Sequence, residues 1–454
     1  MRVLDWIRAG VCLAVRAILG AADCRAQGCQ PFWQTVPNDV GGANSIRAFD
    51  FGQGPVLCGY GFGESSGGHP DPVRRWNGNA WTVVGTGLAG EIIDGGFQVL
   101  DDGAGARLYF TGTANGSSVR FTRRLVNASW VSPPDRMFVN PDPNPGDFAQ
   151  ALCSTTVPRV SGLYGVYFPY QGAARYVARW SGAKWVPIGA VGITDGIGYF
   201  HPMIGFNDTV KSWLVVSGAF QQMSGVNASF IARWDGRDWY PMGAPPAAPT
   251  AFCIFDDGTG PSLYMGFNGT LSLDPLKTQG VARWNGTAWV SVGGGTNRTD
   301  VGYGGVNAMA VFDDGSGPAL FVAGSFNRAG GIPALQIAKW DGHQWSALGA
   351  GISGYVKDMA VANDGRGDSL FICGGIFGAG GGTGADIVQW VGCRGQCYAN
   401  CDNSTASPRL NVNDFMCFLD AFARHEPYAN CTVDAIINAA DFICFMNKFA
   451  AGCP

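Results

Sequence analysis

Apolar and polar residues alternate in short runs punctuated by Gly, Asp and Asn, and the runs return as one phrase. Its cleanest copy is Gln336 to Gly349: an alternating run, an Asp-Gly turn, and a second run. That pattern predicts two antiparallel strands joined by a tight turn. The phrase recurs at Ala282 to Gly293, Ala232 to Gly243, Ala178 to Gly189 and Arg75 to Gly85. Weaker copies stand at Arg124 to Trp130 and Val388 to Gly392. With Trp340 as ruler, the counterparts are Trp76, Leu125, Trp180, Trp234, Trp284 and Trp390. The intervals of 49, 55, 54, 50, 56 and 50 residues define seven units. A fixed period of this size signals a repeat architecture.

The sixth unit shows the content of each. Val306 to Phe312 alternates and runs into an Asp-Asp-Gly turn. Ala319 to Gly324 reads as a buried strand, and a Gly-rich loop from Ser325 to Pro333 leads to strand Gln336 to Trp340. Gln344 to Leu348 follows the last turn. Radially repeated four-stranded units of this length predict an all-β fold, a seven-bladed β-propeller. The seventh unit lacks its fourth strand, whereas Phe32 to Pro37 stands alone before the first. That orphan is expected to complete the last blade and remove the exposed edges of an open array. Cys29 and Cys393 flank this closure and are a candidate staple. The order of strands resembles the Kelch type of blade, whose buried strand ends in glycines. Leu370 to Gly375 matches that ending, and most other units carry Ala-Gly or Ser-Gly.

Tryptophans that recur in every unit are read as packing between blades, not as a sugar-stacking array. Function is expected where the units differ, on the loops. The loops between second and third strands are Gly61 to Pro72, Phe220 to Val226, Phe267 to Lys277, Phe326 to Gly331 and Phe377 to Gly384. Their Gly, Ser, Asn and single aromatics suit a shallow polar-ligand site or plain solvation. The pairs Asp101/Asp102, Asp256/Asp257 and Asp313/Asp314 recur at one turn position and read as turn chemistry.

Composition narrows the classes. Net charge is −4 with no basic run, which argues against nucleic acid and anionic membrane as partners. Four histidines lower the expectation of zinc, copper or imidazole-base chemistry. Fourteen cysteines without a paired CxxC pattern point to disulfides and an oxidising compartment. Arg2 and Arg8 precede the apolar Val11 to Leu19, so residues 1–26 are expected to be an export signal cleaved after Ala26, although Asp5 and Arg16 depart from the pattern. No stretch reaches the roughly 18 apolar residues of a membrane span. Cys58 and Cys373 occupy equivalent positions in neighbouring blades, as a pair or as small buried residues. Cys153 and Cys253 read as buried thiols.

Composition changes after residue 392. Residues 393–454 crowd seven cysteines into a duplication. Tyr398-Ala-Asn-Cys401 leads to Leu410 to Leu419, and Tyr428-Ala-Asn-Cys431 leads to Ile437 to Met446. Each half is a polar loop entering an amphipathic helix. The second loop fits a twelve-residue calcium loop, with Asn430, Thr432, Asp434, Ile436 (by its carbonyl), Asn438 and Asp441 at the ligand positions. Asn at the first position, Ala at the sixth and Asp at the twelfth depart from it. In the first loop Asp402, Asn411 and Asp414 are the candidates for Ca²⁺.

The Asn-x-x-Asp-Phe ending and the tandem duplication resemble a dockerin. With its cysteines the module resembles the Gly-Cys-type dockerin-like tail of secreted planctomycete proteins, which follows similar Trp-rich propellers. The resemblance implies extracellular placement, anchoring through the tail, and a cohesin-like or envelope partner. It supplies no activity. Cys401–Cys417, Cys431–Cys444 and Cys397–Cys453 is one of the 15 arrangements that six cysteines allow. The reading is a secreted or cell-surface non-catalytic binding protein with an extracellular protein or glycan as partner. The alternative is a secreted carbohydrate-active enzyme, a hydrolase, lyase or oxidase, on the same scaffold.

Overall fold

The computed structural model describes residues 31–392, except loop stretches of which the longest are 61–72, 132–147, 193–199 and 269–278. It also describes 412–451, except 425–428, 430 and 432–436. The chain divides into two units, Pro31–Arg394 and Met1–Gln30 with Gly395–Pro454.

The larger unit is all-β and built mostly of four-stranded antiparallel sheets, each strand beside its chain neighbour. In the cleanest, Gly305–Asp313, Pro318–Ser325, Ile337–Trp340 and Trp345–Ala347 follow in order. The expected third strand loses its first residue, because Gln336 has a positive φ of 59° and ends the loop instead. First strands pack side by side: Ser45–Asp50, Phe97–Asp101, Phe148–Thr155, Phe200–Asn207, Pro249–Asp256, Gly305–Asp313 and Ile352–Asn363. The last returns to Ser45–Asp50, so the sheets form a closed circle, the arrangement of a β-propeller.

The orphan strand behaves as the alternation predicts. Phe32–Thr35 pairs antiparallel with Ile387–Val391, placing Trp33 opposite Trp390 with ring centres 5.1 Å apart. It thereby takes the fourth place in the last sheet, and a tryptophan pair stands opposite in every other sheet except the second, where Leu125 faces Trp130. Trp340 faces Trp345 and Trp284 faces Trp289, each at 5.4 Å.

Five of the fourth-strand indoles also reach the preceding sheet. Trp130 Nε1 donates to the Val84 carbonyl at 2.7 Å, Trp239 to Ile188 at 2.7 Å, Trp289 to Met242 at 2.7 Å, and Trp345 to Val292 at 3.0 Å. Trp33 does the same to Leu348 at 2.8 Å. The repeated phrase ends in Gly for this reason. A Cβ at Gly293 would lie 2.4 Å from the Trp340 ring and 2.9 Å from Trp345 Nε1, and its φ of +52° is one that L side chains rarely adopt.

The acidic turns supply a second repeated bond set. Asp256 Oδ1 accepts from the N–H groups of Gly258 and Gly260, both at 2.9 Å, and Asp313 does so from Gly315 and Gly317. The second carboxylate points inward. Asp314 is fully buried and accepts from Lys339 at 2.7 Å, Ser316 at 2.7 Å and Trp390 Nε1 of the next sheet at 3.1 Å. Burial alone would raise its pKa, but these donors outweigh it and hold the carboxyl below its ordinary value.

Among the described residues, the smaller unit has two helices, α1 (Val412–Ala423) and α2 (Ala439–Ala451). Apolar residues at helical spacing face each other. Phe418 stacks on Phe445, its equivalent in the duplication, with ring centres 3.9 Å apart. Cys431 and Cys444 form the expected disulfide. Cys417 is disulfide-bonded too, to a partner outside the described residues. Cys29, Cys393, Cys397, Cys401 and Cys453 also lie outside them.

Two outcomes test this account. Trp33→Ala is expected to lower the stability of the β unit by about 3 kcal/mol and Trp33→Phe by about 1 kcal/mol. Equal thermal melts for Trp33→Ala and parent would refute the closure. Because the folded pKa of Asp314 is depressed, its contribution is complete above the usual carboxylate pKa and is lost as pH falls through the folded value. Lys339→Ala should therefore cost about 1.5–3 kcal/mol at neutral pH and progressively less in acid, measured by denaturation at several pH values.

Candidate functional site

The structure separates repeated chemistry from what differs. The described titratable carboxylates with shifted pKa, Asp235, Asp257, Asp314 and Asp341, are all lowered. In each, burial works upward and hydrogen-bond donors overcome it. They are ionised structural acceptors, not proton donors near neutral pH. The Asp pairs thus act as turn chemistry, with Asp102 outside the described residues.

Cys58 and Cys373 are unpaired and buried, the second of the two readings of their equivalence. Burial pushes the Cys58, Cys153 and Cys253 thiols up to about 12, and Cys373 is raised as well. None is a thiolate nucleophile at neutral pH.

Two of the distinctive loops are parts of the scaffold. Gln222–Met223 and Val226–Asn227 form a small hairpin that pairs with Val191–Gly192, extending the third sheet. Arg328–Ala329 and Ile332–Pro333 repeat this against Thr296–Asn297. Phe220 and Phe326 are buried beneath them. A single aromatic in such a loop is a plug, which its Gly-rich surroundings concealed.

The last sheet departs from the others. Its strands Ile352–Asn363 and Asp368–Ala379 are each 12 residues long and carry two register breaks, at Ser353/Gly354 and Val356/Asp358. Bulges of this kind re-aim side chains. Phe377 sits in the first break and is 74% exposed, while Tyr355 is 48% exposed. Tyr355 lies over Gly375, where a Cβ would meet its ring at 2.4 Å. Lys357 Nζ stands 5.6 Å from the Tyr355 ring centre and donates to Asn44 Oδ1 of the first sheet.

Amides continue the surface. Gln336 Nε2 donates to the Gly354 carbonyl at 2.5 Å, and Asn307 Nδ2 to the Val356 carbonyl at 2.7 Å. Asn268 Nδ2 donates to Asn307 Oδ1 at 3.0 Å. Two accessible ring faces, an ammonium and a run of amides can stack on and hydrogen-bond a polar ligand. Among the described residues no group of three or more His, Cys, Asp or Glu is placed to hold a metal.

Of the calcium-loop candidates, Asn430, Thr432, Asp434, Ile436, Asp402 and Asn411 lie outside the described residues. Asp414 and Asp441 are both fully buried at the third position of their helices. Asn438 Oδ1 accepts from the Ala440 N–H at 2.8 Å, and Asp441 Oδ2 accepts from the Asn438 N–H at 2.8 Å. This reciprocal pair is a capping box at the start of α2.

No protein-family model and no curated protein matches the chain. Among solved structures, the chain is similar to BBS1N in complex with ARL6DN at 11% identity and TM-score 0.43, covering 79% of this chain and 97% of that one. YCF48 from Cyanidioschyzon merolae gives 12% identity and TM-score 0.39 over 79% and 98% of the two chains. The fucose-specific lectin from Aleuria aurantia gives 13% and 0.35 over 66% and 93%.

The cap yields a measurable expectation. In calcium-free buffer, Asp441→Ala should speed amide exchange across Ala439–Ala451 about fivefold, equivalent to about 1 kcal/mol of lost capping. Unchanged exchange in α2 would show that the carboxylate does not hold the helix start.

Proposed function

We propose that this chain is a secreted or surface-attached, non-catalytic binding protein. In this reading the β unit is a seven-bladed propeller of Kelch-like type, closed by its N-terminal strand. The C-terminal duplication is a dockerin-like anchor for a cohesin-like or envelope partner, with Ca²⁺ held by one loop or both. The repeat spacing and the Trp33 bonds support the first assignment, and the equivalence of Phe418 and Phe445 supports the duplication.

One observation carries the binding role: the exposed Tyr355 and Phe377 on the bulged strands of the last sheet, with Lys357 and the amides beside them. Large aromatic side chains left in water mark an interaction surface. Ring faces beside amide donors suit the alternating CH and OH faces of an extracellular glycan.

Glycan-array binding of the full chain, followed by titration of the best ligand, tests this. Tyr355→Ala and Phe377→Ala are each expected to weaken binding about tenfold, the loss typical of a central contact residue. Affinity unaltered by both, or turnover of the polysaccharide, would count against the proposal.

A further inference from the structure

The sheets act as internal controls for one another. Tyr264 stands opposite Arg283, and both bind Asp257 of the adjoining acidic turn, at 3.1 and 3.2 Å. In the following sheet Asp314 takes Lys339 and the indole N–H of Trp390. A carboxylate in this place thus collects a strand cation, together with a tyrosine hydroxyl or an indole of the next sheet.

The third sheet keeps the donors and lacks the acid. Tyr164 stands opposite Arg179 as Tyr264 does opposite Arg283. With Cys153 opposite Tyr164 as Cys253 is opposite Tyr264, Thr156 and Val157 stand where the fifth sheet has Asp256 and Asp257. Arg179 is in no ion pair among the described residues; its Nη2 donates to the Ser161 carbonyl at 2.6 Å. Trp234 of the next sheet is only 6% exposed, and its Nε1 has no hydrogen-bond partner. The Tyr164 hydroxyl, edge-on to Trp234 at 6.1 Å between centroids, has none either. Buried polar groups are ordinarily satisfied, so such donors mark a place for an acceptor.

A cavity of about 380 Å³ lies at this point, lined by Arg179, Trp180, Ser181, Val186, Ile188 and Trp234. Trp284 Nε1 is unpartnered as well, but there the fourth sheet already holds a carboxylate at this position, Asp208, which takes Trp213 at 2.6 Å and Arg233 at 3.8 Å. Trp180 is half-buried, whereas its counterparts Trp284 and Trp340 are buried. Cation and indole N–H meet an aromatic and aliphatic wall.

We propose that this cavity binds a small carboxylic acid with a ring-shaped body. Its carboxylate takes the donors Arg179 and Trp234 Nε1, as Asp257 and Asp314 do in their sheets, and its ring lies on Trp180, Val186 and Ile188. The ring belongs to a uronic acid or to an aryl acid; the carboxylate chemistry is common to both. This site is separate from the Tyr355 surface and does not depend on it.

Tryptophan fluorescence of the full chain, titrated with D-glucuronate and with phenylacetate, tests the assignment. Glucose and phenylacetamide are the neutral controls. At least one acid should saturate, and its neutral counterpart should not; which acid binds identifies the source. Arg179→Met, at an exposed position, should weaken that binding about tenfold or more, and Trp234→Phe, which removes the N–H with the pyrrole part of the ring, by a similar factor. The melting curve of each variant shows that it is folded. Absence of saturation by both acids, equal binding of acid and neutral probe, or binding unchanged in folded Arg179→Met would overturn the proposal.

Discussion

The indole N–H that crosses from one sheet to the carbonyl of the sheet before it is the bond on which the β unit depends. It is buried, it recurs at five described seams, and it forces glycine at the next position. A sheet in such an array cannot satisfy its own edge tryptophan, so each needs a predecessor. That requirement has no solution at the end of a linear array. The N-terminal strand solves it by lending Trp33 to the last sheet, where it meets Trp390 and donates to Leu348. Closure here satisfies hydrogen bonds as well as covering edges.

A second constraint acts at the turns. The two acidic residues have separate tasks: the first holds the turn backbone, and the second is buried against a strand cation. Ion pairs of the second kind are costly to leave half-made, because a buried carboxylate without its cation keeps its desolvation cost. The first sheet avoids that cost with Phe51 in place of the acid, its ring 5.2 Å from the Arg75 guanidinium. The third sheet has neither acid nor ring there, and its cation faces a cavity. One position therefore has three solutions in one chain: an acid, a ring, and neither.

Much of the architecture was legible in the sequence because the constraints repeat. Trp340 and its counterparts marked the period, and the orphan Phe32 to Pro37 predicted the strand that completes the last sheet. The Asp-Asp-Gly turns were legible as turn chemistry for the same reason. The Tyr355 surface was not, since exposure of an aromatic depends on bulges that a strand-like run does not announce; Gly374 and Gly375 were its only trace. The buried Phe220 and Phe326 misled in the opposite sense. For the third-sheet cavity the signal was an absence, Val157 where several other units have a second Asp. In the duplicated tail, Asp441 satisfies a calcium-loop template and a capping box equally well, because both ask for a carboxylate near the start of a helix.

A repeat chain also offers an argument that a single-core protein does not. Each sheet is a natural variant of its neighbours, with backbone and surroundings nearly held constant. Features shared by every sheet are explained by packing, since every sheet must pack. A departure that leaves the scaffold bonds intact cannot be credited to the scaffold. Tyr355 and Phe377 extend a sheet whose tryptophan bonds are complete, and Arg179 and Trp234 flank the seam between the third and fourth sheets, whose Trp239 bond to Ile188 is complete. Both departures carry exposed rings or unsatisfied donors that, among the described residues, the fold does not need.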